Sequence, residues 1–165
     1  MHAIIQSLCS LWQSSWQGMV MGELKYRKGS GGSGPYRVSA SGRRIVRVSA
    51  VSPSGERMDL MLFPAAGFAV GGRKAEGGVY WHTFSADEVR QYSASVGDHN
   101  EIHQTESPIV SGFQIAEAME GLEGKQDFRI RFHYPVRSGE AVSLRSEGKT
   151  VSGMTDVLCF VWEAL

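Results

Sequence analysis

This sequence has no net charge: 17 Lys and Arg balance 17 Asp and Glu. With no basic excess to neutralise phosphates, neither a nucleic-acid partner nor an anionic membrane surface is expected. Near-zero charge also weakens repulsion between copies, so self-association fits the composition. Cysteine is scarce. Cys9 and Cys159 are the two present, with no CxxC and no Cys/His spacing for zinc. Two free thiols in a reducing compartment is the preferred reading, a disulfide the other. Long hydrophobic runs are missing too. Residues 3–22 are moderately apolar, but Gln6, Gln13, Gln17 and several serines interrupt them, which makes the stretch too polar to span a bilayer. No basic segment precedes it and no small-x-small site follows, so a cytoplasmic protein is expected. What is there is ordinary for a globular chain: 165 residues, 42% apolar and 21% charged, enough for one compact domain or two very small ones.

Periodicity divides the chain. Ile4, Leu8, Trp12, Trp16 and Val20 recur at steps of four, with Ile5, Leu11 and Met19 beside them, which predicts an amphipathic helix over 4–20. The Gly/Ser run 29–34 has the composition of a flexible linker, engineered or native, or of a long loop between strands. Alternation at Tyr36–Ala40, Val46–Ala50 and Met58–Leu62 predicts three antiparallel strands. Gly67, Gly71, Gly72, Gly77 and Gly78 mark a loose passage, and Val79–Thr83 reads as a short strand. Ser85 and Glu88 are spaced as a capping box, Phe84 and Val89 as a hydrophobic staple, and Gly97 as the stop of a helix carrying Val89, Tyr92 and Val96. A second helix is expected from Ser111, capped by Ser111 and Gln114, with Ile115, Ala118, Met119 and Leu122 inward. Three strands close the chain at 128–134, 141–145 and 157–162, the last apolar enough for burial on both faces. Helix-then-strands recurs in the two halves, either as a true repeat or as chance recurrence of a simple order.

Asp98 and His103 lie five residues apart on the segment between the two later helices. A loop carboxylate and a loop imidazole can converge on one water, which suits general acid–base work near neutral pH. Asn100 can fix the turn through its own backbone. The first amides of the next helix, at Gly112 and Phe113, are available to a developing oxyanion, and Gly112 lets a carbonyl approach. The bland alternative is a helix C-cap followed by a turn, with Asp98 bonded to turn amides and His103 a satisfied polar residue.

Tyr92-Ser93-Ala94-Ser95-Val96-Gly97-Asp98-His99-Asn100-Glu101-Ile102-His103 resembles the signature of the MaoC-like, (R)-specific enoyl-CoA hydratase family, in which a small-residue helix end leads into G-D-x-N-P-aliphatic-H. Phe84–Val89 resembles the family's entry to this helix. Pro108-Ile109-Val110-Ser111-Gly112-Phe113 resembles its P-I-A-H-G-M helix start, and Phe128–Val136 its next strand. The match covers roughly residues 79–165.

The resemblance implies an α+β hot-dog fold, a curved antiparallel sheet around a central helix. It implies Asp98 and His103 as the dyad that activates water and moves the proton at the alpha carbon. The Gly112 amide would hold the thioester oxygen, with Ser111 and Asn100 supporting the site. The reaction would be hydration of a trans-2-enoyl thioester to a 3-hydroxyacyl thioester, or the reverse dehydration. No metal or redox cofactor is expected, since the thioester itself acidifies the alpha position. The substrate would arrive on coenzyme A or on an acyl carrier protein. Residues 1–72 would form a degenerate hot-dog half and 73–165 the hot-dog domain with the dyad, giving a shortened double hot dog that is a pseudo-dimer within one chain. Otherwise two whole chains would pair.

Three features depart from the family. Glu101 replaces Pro and would bring a second carboxylate to the dyad. Ser111 replaces a frequent His. The stretch from His103 to Gly112 is shorter, which would open the acyl pocket. Two further functions therefore stand beside the hydratase: an acyl-thioester-binding or assembly module without turnover, and a hot-dog thioesterase. His99 reads as solvent-exposed. Arg129, Arg131, His133 and Arg137 would share a strand face, either a solvated or sheet-edge face or one facing the carrier's phosphates. Trp12, Trp16, Trp81 and Trp162 read as core.

Overall fold

The computed structural model describes residues 1–11, 14–29, 31, 35–42, 44–65, 72–124 and 126–165. Trp12, Gln13, most of the Gly/Ser run, Gly67 and Gly71 lie outside the described residues. The elements run α1 (His2–Cys9), β1 (Met19–Arg27), β2 (Arg37–Ser41), β3 (Val46–Val51), β4 (Arg57–Pro64), β5 (Val79–Thr83), α2 (Ala86–Val96), α3 (Gly112–Glu123), β6 (Phe128–Phe132), β7 (Ala141–Glu147), β8 (Thr150–Met154) and β9 (Leu158–Ala164). Single 3-10 turns stand at Ser14–Trp16 and Glu101–His103.

The nine strands of the described residues join one sheet in the order β2-β3-β4-β1-β6-β9-β8-β7-β5. Every pairing is antiparallel. From the central β1–β6 seam outward, β4, β3 and β2 lie on one side, and β9, β8 and β7 on the other. Each set follows a helix, α1 or α3, in the same chain order. Strand β5 adds a fifth position outside β7.

The expected helix over 4–20 is corrected. α1 ends at Cys9, and Gly18, at φ 70°, turns the chain into β1. Residues 19–27 then pair with β4 and β6, so the described residues of the first half hold four strands, not three. The steps of four at Trp16 and Val20 fall on a turn and a strand. Both residues are buried, which mimics a helical stripe. Gly22 is the extra residue of a bulge between Met21 and Glu23. A Cβ there would stand 2.3 Å from the Phe63 ring, so the bulge needs glycine.

Inward residues alternate along the seam. Leu24 pairs with Ile130 and Tyr26 with Phe128, and all four are buried. Tyr26 and Phe128 rings lie 5.4 Å apart, and Phe128 and Trp162 6.0 Å. Burying each such side chain stabilises the fold by roughly 1.5–3 kcal/mol. The core runs continuously through both halves. α1 rests on β3, while α3 of the second half rests on β1 of the first.

Other expectations change in detail. α3 starts at the predicted place, but Ser111 accepts from Phe113 N and no capping box with Gln114 forms. Its buried face is Phe113, Ile115, Ala116 and Met119, and Leu122 is exposed. β9 lies between β6 and β8 but is buried mainly through Cys159, Phe160 and Trp162, with Leu158 and Val161 half-buried. β6 is a central strand, so Arg129 and Arg131 are not at an edge, and Arg129 pairs with Glu163. Cys9 and Cys159 are free and buried. Among the described residues no helix is long and apolar enough to cross a membrane.

Candidate functional site

α2 leads into the first candidate residue, Asp98. Ser85 Oγ accepts from the Glu88 amide at 3.1 Å, and Glu88 Oε2 accepts from the Ser85 amide at 3.3 Å. This is the capping box that the spacing predicts. At the other end Gly97 adopts φ 75°, a left-handed conformation that strains other residues. The Asp98 amide then closes onto the Ser93 carbonyl at 2.9 Å. Helix end and Asp98 are thus set by local chemistry.

Asp98 and His103 are 6% and 5% exposed. Asp98 Oδ1 accepts from the Asn100 amide at 3.1 Å. His103 Nδ1 donates to the Ile109 carbonyl at 2.6 Å, so that nitrogen carries a proton and Nε2 is the atom left for other work. The bland reading is therefore correct for one atom of each residue. The other two atoms face each other, with Oδ2 3.3 Å from Nε2. Ser111, 1% exposed, also donates toward Oδ2 at 3.4 Å. The 3-10 turn Glu101–His103 supplies the geometry by shortening the path between dyad members.

The first turn of α3 lies beside them. Ser111 Oγ accepts from Phe113 N, so of the two amides expected for an oxyanion, Phe113's is engaged and Gly112's is the one at the helix start without an intrahelical partner. Gly112 also has a packing reason to be glycine. A Cβ would meet Met21 Sδ at 2.9 Å and the Phe132 ring at 3.2 Å.

Asn100 acts differently from the expectation. Its side chain does not close its own turn. Oδ1 accepts from Gly18 N at 3.1 Å and Nδ2 donates to the Met19 carbonyl at 2.7 Å, both in the first half. Gln17, which sequence reasoning missed, adds two more bonds, one to the His99 carbonyl and one from the Glu101 amide. No local pattern could have found Gln17, because its partners are more than eighty residues away. Glu101 is exposed, and so is His99.

A pocket of about 80 Å³ opens from the dyad. Asp98, Asn100, His103 and Ser111 form its polar end. Ile109, Phe113 and Phe132 wall it from the second half, and Leu8, Val48, Leu60 and Leu62 from the first. Trp16 and Met19 line it as well. Cys9 also faces this pocket. Burial, with the Asp98 charge adding, pushes its thiol well above the ordinary value of 9.0, so it is a neutral wall and a poor nucleophile. Tyr92 is pushed up by burial first and by Glu117 second. Its hydroxyl sits near that carboxylate without a hydrogen bond of ordinary geometry. Among the described residues no three His, Cys, Asp or Glu side chains gather as a metal site.

No protein-family model matches the chain, and no curated protein does. Solved structures do. HtdX of Mycobacterium tuberculosis, a MaoC-like hot-dog protein, superposes with a TM-score of 0.65 at 15% identity, covering 98% of this chain and 82% of HtdX. The full-length peroxisomal multifunctional enzyme type 2 of Drosophila melanogaster superposes with a TM-score of 0.56 at 16% identity, covering 99% of this chain and 40% of that enzyme. The nine-stranded antiparallel sheet with its few helices is thus a shortened hot dog of the α+β class, the fold that the Tyr92–His103 resemblance implies.

Proposed function

We propose that this protein hydrates trans-2-enoyl thioesters to 3-hydroxyacyl thioesters, or catalyses the reverse dehydration. The observation that carries this reading is the buried pair Asp98 Oδ2 and His103 Nε2, 3.3 Å apart at the polar end of an apolar pocket. A carboxylate oxygen and an imidazole nitrogen converging there suit one water molecule. The Gly112 amide beside them suits a thioester oxygen that gains negative charge. The two neighbours, HtdX and the peroxisomal multifunctional enzyme type 2, support the hot-dog fold that this reading needs.

In the forward direction the water oxygen bonds to carbon 3 as Asp98 and His103 take up its proton. The double-bond electrons move to carbon 2 and onto the thioester oxygen, held at Gly112. Carbon 2 then receives a proton from the same dyad, and the site returns to its starting state. No metal or redox group enters the balance. The acyl chain would lie along Leu60, Leu62 and Val48, so the first half shapes the pocket while the second supplies the chemistry, as in a pseudo-dimer. The carrier would be coenzyme A or an acyl carrier protein, in a cytoplasmic setting that keeps Cys9 and Cys159 reduced.

Loss of the enoyl absorbance of crotonyl-CoA and longer enoyl-CoAs tests the reading. The parent should hydrate them, and Asp98→Asn should lose about 10²–10⁴-fold in kcat. An Asp98→Asn protein as fast as its parent sinks the assignment. Acyl-CoA binding without hydration would instead favour a binding module, and release of free thiol would favour a thioesterase.

A further inference from the structure

The segment joining α1 to β1 does two things at once. Trp16 and Met19 line the pocket. Gln17, Gly18 and Met19 hold the loop that carries Asp98. Gln17 Nε2 donates to the His99 carbonyl at 2.9 Å, and Gln17 Oε1 accepts from the Glu101 amide at 3.0 Å. One side-chain amide therefore uses its donor and its acceptor on backbone groups two residues apart, flanking Asn100. Asn100 returns the grip on Gly18 and Met19. Four hydrogen bonds cross between the halves within three residues on each side.

We infer that Gln17 is a positioning residue for the Asp98–His103 dyad, supplied by the half of the chain that lacks the dyad itself. The inference rests on the proposed reaction for its kinetic consequence, but its structural content stands without it. Asp98 is fixed on its N-terminal side by Gly97 and the Ser93 carbonyl. On its C-terminal side the backbone turns at once through Asn100 into the 3-10 turn that delivers His103. Fixing the His99 carbonyl and the Glu101 amide fixes the backbone on either side of Asn100, between Asp98 and the turn that delivers His103, and so the angle at which carboxylate and imidazole meet. Gln17 touches neither substrate nor reacting atoms. Its effect passes through loop geometry, to which near-attack alignment is sensitive.

Gln17→Met keeps the length of the side chain and removes its donor and acceptor. It should lower kcat for crotonyl-CoA about fivefold or more, leave KM within about twofold, and leave the melting temperature close to the parent's. Amide exchange should quicken at Glu101 and remain unchanged in α2. Gln17→Glu, which keeps an acceptor, should restore protection at Glu101 more than at the loop as a whole. Parental kcat together with parental Glu101 exchange overturns the inference. So does a fall in kcat that comes with a lowered melting temperature and faster exchange throughout, which marks a purely structural residue. If the parent hydrates no enoyl thioester, the proposed function fails separately. Exchange at Glu101 then decides alone, faster in Gln17→Met supporting the grip and unchanged overturning it.

Discussion

The stretches α1–β4 and α3–β9 share one plan: a helix, then four strands laid outward from the seam in the same neighbour order. Their chemistry differs. In the second half β5, α2 and the Asp98–His103 loop stand ahead of that plan, and α3 begins beside the loop. In the first half, the segment that joins α1 to β1 tethers that loop through Gln17, Gly18 and Met19. Its inward residues Val48, Leu60 and Leu62 wall a pocket whose polar end belongs to the other half. The difference teaches that one plan, used twice and joined through β1 and β6, can take on different parts: the loop ahead of α3 brings a carboxylate and an imidazole to the pocket, and the first copy supplies apolar wall.

The comparison can be broken most directly at the dyad. His103→Ala should lower kcat for enoyl-CoA hydration by about 10²–10⁴-fold, while circular dichroism shows the fold retained. The same loss from Leu60→Ala would contradict the division, because Leu60 lines the pocket and carries no acid–base group. The seam comes next. Ile130→Ala opposite Leu24 should cost about 2–5 kcal/mol. A single melting transition shifted downward would show the halves unfolding together, and two transitions would show them independent. Gly112→Val tests the contact of α3 with β1. The new side chain meets Met21 and Phe132, so a loss of about 1–3 kcal/mol is expected by denaturant titration, with hydration reduced as well.

The smallest effect concerns the Glu56 cluster of the first half. Tyr26 Oη donates to Glu56 Oε1 at 2.5 Å, and Ser52 and Ser54 donate to Oε2. The Tyr26 bond is the main cause holding the Glu56 carboxyl below its ordinary 4.5. A carboxyl lowered on folding stabilises above its ordinary value and loses that contribution as pH falls through the lowered one. Tyr26→Phe should therefore shrink the stability difference between neutral pH and pH 3, seen in melts across that range. At the alkaline end Cys9 and Tyr26 are both raised by burial first. Their contribution is complete below pH 9 and declines as pH rises through the ordinary values of 9.0 and 10.0.

Much of the site was legible because its causes are local. Ser85 and Glu88 announce α2, Gly97 ends it, and Asp98 must follow in the turn. The convergence of Asp98 and His103 was readable as a spacing and a resemblance. Three errors share a physical cause. Residues 4–20 looked helical because Trp16 and Val20 are buried by a turn and a strand that happen to fit steps of four. Gln114 fits a capping-box spacing, yet Ser111 caps Phe113 instead and turns toward Asp98. Asn100 looked like a self-contained turn residue, but its side chain is satisfied by Gly18 and Met19, which no local pattern shows.

By itself the sequence determined what neighbouring residues settle among themselves. That includes the α2 cap and stop, the alternating strands, and a carboxylate and an imidazole five residues apart. Only the tertiary structure decided that the first half contributes a fourth strand, that the sheet is continuous through β1 and β6, and that Gln17 reaches the dyad loop. Those outcomes depend on backbone donors and acceptors finding partners more than eighty residues away, and buried polar groups must find such partners wherever the fold brings them.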